Sequence, residues 1–265
     1  AGNAARVEFK NTCNVKNLRK LRITKKMNGL STTDKFSFQV YLTGQNRQFI
    51  PYDGGYEVIH KDGTSVSREG NPQGIIRDVA PDETIVIDQI LSGTEFKVNE
   101  IEPDNSRYEK PIKEVEEGSC DRGRVTGSDG KIALEKDAHV IITNTLKVNL
   151  TVNKVWSDTE IKHSSIYAGL YKADGTALRS YVELSENNKY SDVFRNVSSS
   201  DLVYELRPVT GNENAEFTIN NNGYVKVEAD KIIVAKANNT DTKYKVSYKK
   251  EVSEDGTMIT QTITN

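Results

Sequence analysis

Two pairs of short stretches decide the reading. The first pair is Leu21-Arg22-Ile23-Thr24-Lys25 and Val140-Ile141-Ile142-Thr143-Asn144; the second is Leu150-Thr151-Val152-Asn153-Lys154 and Gln261-Thr262-Ile263-Thr264-Asn265. Each opening stretch, and the closing stretch Val140–Asn144, alternates with period two, the pattern of a strand with one buried face. Each opening strand carries a lysine and each closing strand ends in asparagine. Lys25 shares parity with Leu21, Ile23 and Met27, and Asn144 with Val140 and Ile142.

Working outward, Phe36, Phe38, Val40 and Leu42 alternate with Ser37, Gln39 and Tyr41, and Phe96, Val98 and Glu100 alternate with Lys97 and Asn99. Asx-Gly turns punctuate the strands at Asp53-Gly54, Asp62-Gly63, Asp129-Gly130, Asp174-Gly175, Asn222-Gly223 and Asp255-Gly256. No long stretch carries the helical period. The expectation is an all-β chain of two tandem Ig-like β-sandwich domains, residues 15–145 and 146–265. Residues 1–14 then belong to a preceding domain or linker, since Val7-Glu8-Phe9-Lys10-Asn11-Thr12 resembles the closing strands. The junction Asn144–Val148 is too short to be a flexible tether.

Composition narrows the function classes. There are 36 basic and 38 acidic residues, interspersed, for a net charge of −2. Nucleic-acid binding needs a basic stripe, and anionic membranes attract polybasic clusters; neither is present. No apolar run approaches a membrane span, and Ala1-Gly2-Asn3-Ala4 does not open a signal peptide, so the chain reads as a piece of a longer protein. Cys13 and Cys120 make neither a zinc site nor a CxxC motif; a disulfide between them and two separate thiols both fit the sequence. His60, His139 and His163 are scattered, without metal-ligand spacing, and read as surface residues. With no nucleophile elbow or phosphate loop either, no turnover enzyme and no cofactor are expected. Trp156, the sole tryptophan, reads as a packing residue.

The chemistry lies in Lys25, Glu100 and Asn144, three inward polar residues on three strands. Desolvation favours the neutral forms of both an amine and a carboxyl. A neutral lysine is a nucleophile, and a protonated carboxyl can polarise an amide carbonyl and shuttle protons. Attack on the asparagine side chain with loss of ammonia forms an intramolecular isopeptide bond, a single-turnover event favoured by proximity in a folded core.

With these residues in order, both halves resemble the Cna B-type and pilin isopeptide-linkage domains of Gram-positive surface proteins. The first half does so through Leu21–Gly29, Ile85–Glu100 and Val140–Asn144. Carried over by position, Lys25 is the nucleophile, Glu100 the proton shuttle and Asn144 the electrophile. The second half resembles the family through Leu150–Trp156, Gly169–Gly175 and Thr262–Asn265, making Lys154 and Asn265 the reacting pair. It departs from the pattern at Pro208, which occupies the family's glutamate position. Glu205 has the opposite parity to Tyr204 and Leu206, and Glu183 is a further candidate acid.

The resemblance implies an extracellular, non-enzymatic stalk segment of a pilus subunit or wall-anchored adhesin at the bacterial cell-wall surface. Its partners would be other pilin or surface-protein domains of the same chain or fibre, with no nucleic acid and no membrane insertion. The alternative is an adhesin module that binds a host extracellular matrix protein, which needs an exposed patch around Tyr52, Tyr56 and Tyr108.

Overall fold

The structure, a computed structural model, describes residues 17–44, 46–101, 105–116, 129–133, 135–158, 162–208, 218–219, 225–226, 232–235 and 246–265. Cys13, Cys120 and the 1–14 stretch lie outside the described residues. The chain divides into two compact units: described residues within 1–26, 34–101 and 112–142 form one, and those within 27–33, 102–111 and 143–265 the other.

The chain is all-β, as the alternation requires. The first eleven strands in chain order are β1 (Leu18–Asn28), β2 (Phe36–Thr43), β3 (Phe49–Pro51), β4 (Tyr56–Ile59), β5 (Ser65–Arg68), β6 (Ile75–Val79), β7 (Thr84–Leu91), β8 (Glu95–Ile101), β9 (Ile112–Val115), β10 (Asp129–Lys131) and β11 (Ala138–Thr145). They form a six-stranded sheet, β5-β4-β7-β1-β11-β9, and a five-stranded sheet, β10-β8-β2-β3, with β6 also on β2. Leu21 and Ile23 of the first sheet and Phe38, Val40, Phe96 and Val98 of the second are wholly buried, so the sandwich core lies between the two sheets. Burying such a side chain stabilises by roughly 1.5–3 kcal/mol. The period-two pattern holds most cleanly in β8, where Phe96, Val98 and Glu100 are buried and Glu95, Asn99 and Ile101 exposed.

The remaining strands are β12 (Lys147–Val155), β13 (Ile166–Tyr171), β14 (Leu178–Leu184), β15 (Ser191–Ser198), β16 (Leu202–Pro208), β17 (Thr218–Ile219), β18 (Val225–Lys226), β19 (Ile232–Ala235), β20 (Ser247–Val252) and β21 (Met258–Thr264). Two four-stranded sheets, β15-β12-β21-β20 and β14-β13-β16-β19, accompany the small β17-β18 ribbon. Strands β12 and β21 run parallel, in register from Asn149 opposite Met258 to Val155 opposite Thr264. The sheet containing β16 is apolar on both faces: Val203 is buried on one, while Leu206 packs with Tyr171 and Leu178, flanked by Leu202 and Tyr204, on the other.

Of the three tyrosines expected to form an exposed patch, Tyr52 is half-buried and the other two are buried. Tyr56 is 9% and Tyr108 3% exposed; Tyr56 faces inward on β4, and Tyr108 bridges to Leu146. The histidines are partly exposed, and two of them pair with carboxylates. The ring of His60 pairs with Glu83 at 2.6 Å; that of His139 pairs with Glu116 at 2.6 Å and meets Thr24 Oγ1 at 2.8 Å. Imidazole beside carboxylate satisfies both groups at a sheet surface.

Two buried lysine, carboxylate and asparagine clusters

A lysine amine carries its charge into a core only beside a compensating group. Lys25 is 0% exposed. Its backbone is clamped by the turn before β7: Lys25 N–H donates to Glu83 O (3.0 Å), and Asp82 N–H donates to Lys25 O (2.8 Å). Its amine lies 3.2 Å from Glu100 Oε1, donates to Ile142 O at 3.4 Å and sits 4.1 Å from the centre of the Phe36 ring. Burial lowers this amine from 10.5 to about 8, with Glu100 opposing the change. Glu100 arrives from the facing sheet, where Phe38 of β2 lies opposite it.

Asn144 lies on β11, the neighbour of β1, two residues beyond the carbonyl that Lys25 reaches. It is wholly buried, and neither its amide oxygen nor its amide nitrogen has a hydrogen-bond partner among the described residues. An unsatisfied buried amide costs about 1–3 kcal/mol and calls for an explanation.

The second cluster is built on β12, β16 and the residue after β21. The Lys154 amine lies 3.6 Å from Glu205 Oε2, and Asn265 Nδ2–H donates to Glu205 Oε1 at 3.3 Å. One carboxylate thus touches both the amine and the amide. The side chains of Lys154 and Glu205 are both 0% exposed. The Lys154 amine also donates to Val155 O at 3.3 Å and lies 4.1 Å from the centre of the Trp156 ring. Asn265 is held by its backbone: its N–H donates to Val155 O, and its carbonyl accepts from Ser157 N–H at 2.8 Å.

Glu205 corrects the sequence reading. It does not share the face of Tyr204 and Leu206, and those two residues belong to a second apolar layer on the opposite side of the sheet. The signal that locates Glu205 is its parity with Val203. Glu183, the other candidate acid, is exposed on β14.

The clusters share a plan: a buried lysine on an opening strand, an aromatic ring at its amine, and a glutamate from the facing sheet. The arrangement brings an amine and a carboxyl together away from water, with an asparagine amide on the second in one case and on a neighbouring strand in the other. A desolvated amine, a carboxyl and an amide are the groups that an acyl transfer between side chains requires. Among the described residues no group of three or more His, Cys, Asp or Glu side chains is arranged to hold a metal.

A family described as a domain of unknown function (DUF7601) matches residues 19–146. Among solved structures the chain is similar to the major pilin T-13 of Streptococcus pyogenes, at 19% identity over 48% of this chain and 45% of that one, with a TM-score of 0.35. It is similar to a second Streptococcus pyogenes major pilin at 19% identity over 48% of this chain and 47% of that one, TM-score 0.40. A pilus-presented adhesin, Spy0125 (Cpa), matches at 14% identity over 49% of this chain and 28% of its own, TM-score 0.32. The chain therefore spans less than half the length of each of these proteins. No curated protein matches it.

Proposed function

We propose that the chain is a structural segment of a Gram-positive pilus subunit or wall-anchored surface adhesin, stiffened by two autocatalytic lysine–asparagine isopeptide bonds. The modules proposed are residues 15–145 and 146–265, a division supported by β1 and β11, which run through Asn28 and Thr145 as strands of one sheet. What carries the reading is the pair of buried lysine–glutamate contacts, at 3.2 and 3.6 Å, each with a buried or carboxylate-bound asparagine amide on the closing strand or just after it.

In each module the neutral lysine amine attacks Cγ of the asparagine. A C–N bond forms, the protonated glutamate delivers its proton towards the amide oxygen, and the carboxylate takes a proton from the attacking nitrogen. That proton passes to the departing amide nitrogen, the original C–N bond breaks, ammonia leaves, and the oxygen returns its proton to the carboxylate as the carbonyl re-forms. The glutamate ends as it began, but lysine and asparagine are consumed, so the protein turns over nothing. In the second module the Asn265 amide turned about its last bond presents its oxygen, rather than its nitrogen, to the Glu205 carboxyl.

Each bond would enclose a loop of about 110 to 120 residues, which in the chain-entropy account stabilises by about 5 kcal/mol. The expected product is a protease-resistant spacer at the cell-wall surface, adjoining other domains of the same chain or fibre. The test is the intact mass of the reduced chain with mapping of crosslinked peptides. A deficit of two ammonia molecules, mapped to Lys25–Asn144 and Lys154–Asn265, is expected. One missing ammonia restricts the chemistry to the mapped module; a full mass refutes the proposal.

A further inference from the structure

Trp156 is engaged by three other side chains. The Lys154 amine lies 4.1 Å from its ring centre, and the His163 imidazole stacks on it at 3.9 Å and 7°. Amine and imidazole cannot occupy the same space over one ring centre, so they cover opposite faces. Tyr190 closes the edge at 6.2 Å and 85°. The outer layer is itself tied down. Tyr190 O–H donates to His163 O at 2.7 Å, and His163 Nε2 lies 3.2 Å from Asp158 O, a geometry that requires the proton on Nε2. The inner layer is tied too: Lys154 N–H donates to Tyr190 O (2.8 Å), and Ser157 N–H donates to Asn265 O (2.8 Å). The segment that carries the tryptophan therefore also grips the residue bearing the amide.

Both clusters set an aromatic ring 4.1 Å from the amine, but differently. Phe36 is 3% exposed and belongs to the core. Trp156 is half-buried just beyond the end of β12, with its indole N–H shut away from water and unpaired among the described residues. Ordinary packing leaves an indole N–H a partner; this ring is instead placed by its faces. An aromatic face attracts an ammonium and holds it at a defined height.

We propose that Trp156, backed by His163, is the positioning residue of the second cluster: a lid that fixes the Lys154 amine towards Glu205 and Asn265 and keeps water from it. This rests on the isopeptide reading for its consequence, but the lid is testable without it.

The test has two arms. In the otherwise unaltered chain, captured unfolded in denaturant and diluted into native buffer, Trp156→Ala slows closure of Lys154–Asn265 by about tenfold to a hundredfold, the loss expected of a misplaced nucleophile. Closure of Lys25–Asn144 is unchanged, and Trp156→Phe restores most of the rate. In an Asn265→Ala background, which has no acceptor and keeps the amine free, Lys154 resists an amine-acylating reagent. Adding Trp156→Ala makes it react at the rate of the exposed lysines, while adding Trp156→Phe leaves it protected. Equal labelling of Lys154 with and without Trp156, or a Phe variant as open as the Ala variant, overturns the lid. Protection by Trp156 in a chain that never closes the second bond keeps the lid and refutes the crosslink there.

Discussion

Asn144→Ala removes the acceptor proposed for Lys25, so the amine stays free in the folded protein and its protonation becomes measurable as stability. Unfolded, this lysine keeps its proton up to 10.5; folded, burial makes it release the proton at about 8. Below 8 both states are protonated, and the fold carries the full cost of a buried ammonium. Between 8 and 10.5 the unfolded chain holds a proton that the folded chain has lost, so raising the pH pulls the equilibrium towards the fold. The slope approaches about 1.4 kcal/mol per pH unit, and the whole gain is about 3 kcal/mol at most. Above 10.5 the effect is flat. The assay is urea unfolding of Asn144→Ala from pH 7 to 10, with Asn144→Ala/Lys25→Met as the reference that cancels every other titrating group. The difference between the two curves should rise in favour of the lysine form across this window. A flat difference, or one that falls with pH, would mean that Lys25 titrates as a solvated lysine and that no neutral amine is prepared at that site.

Three further outcomes follow from the same geometry. Glu205→Ala should prevent the second bond, leaving the chain one ammonia heavier than the parent after allowance for the substitution. It should also unfold more easily than Asn265→Ala by about 1–3 kcal/mol in urea titrations, because the buried Lys154 amine loses the Glu205 carboxyl it meets at 3.6 Å. Asp201 has a fully buried side chain that burial raises to about 6, with the Arg179 guanidinium at 3.5 Å only partly offsetting it. The folded state then binds its proton more tightly than the unfolded chain, and stability from this group is lost as pH rises from about 4 to 6. Asp201→Asn should flatten that window in thermal melts and stabilise at pH 7 by at most about 3 kcal/mol. Gly29 sits at φ +79° where a Cβ would meet Ser199 Oγ at 2.6 Å and Ser200 N at 2.8 Å. Gly29→Ala should cost about 2 kcal/mol or more in denaturant unfolding, combining a left-handed backbone with a backbone clash.

Much of the fold was open to a reader of the sequence, because most strands here bury a single face and alternation then states the answer. Lys25, Glu100 and Asn144 each share parity with wholly buried residues, and each is at most 4% exposed. Strand β16 defeated the same argument. Leu202, Tyr204 and Leu206 outnumber Val203 as apolar markers, so the local pattern selects the wrong face, and only the packing of β13 and β14 across the sheet shows that both faces are covered. Parity says which residues share a side but never which side faces the other sheet. The same limit hid the role of Trp156. A lone tryptophan reads as packing, whereas the His163 and Tyr190 contacts that give it a defined pose come from residues 7 and 34 positions along the chain. Segments 27–33 and 102–111 were equally unreadable. Their place in the second unit depends on pairings such as Lys147 N–H to Arg107 O and Glu109 N–H to Thr145 O, which no local pattern announces.

The parallel pairing of β12 with β21 has a mechanical meaning. If Lys147 is pulled one way and Asn265 the other, the two strands must slide past each other rather than peel apart. In a parallel ladder the hydrogen bonds are evenly spaced, so the seven matched positions from Asn149–Met258 to Val155–Thr264 are loaded together and no end bond is exposed to break first. A strand pair loaded in this way yields in one event at high force. A covalent tie between Lys154 and Asn265 would then carry the load along β12 alone, leaving residues 155–264 slack inside a closed ring.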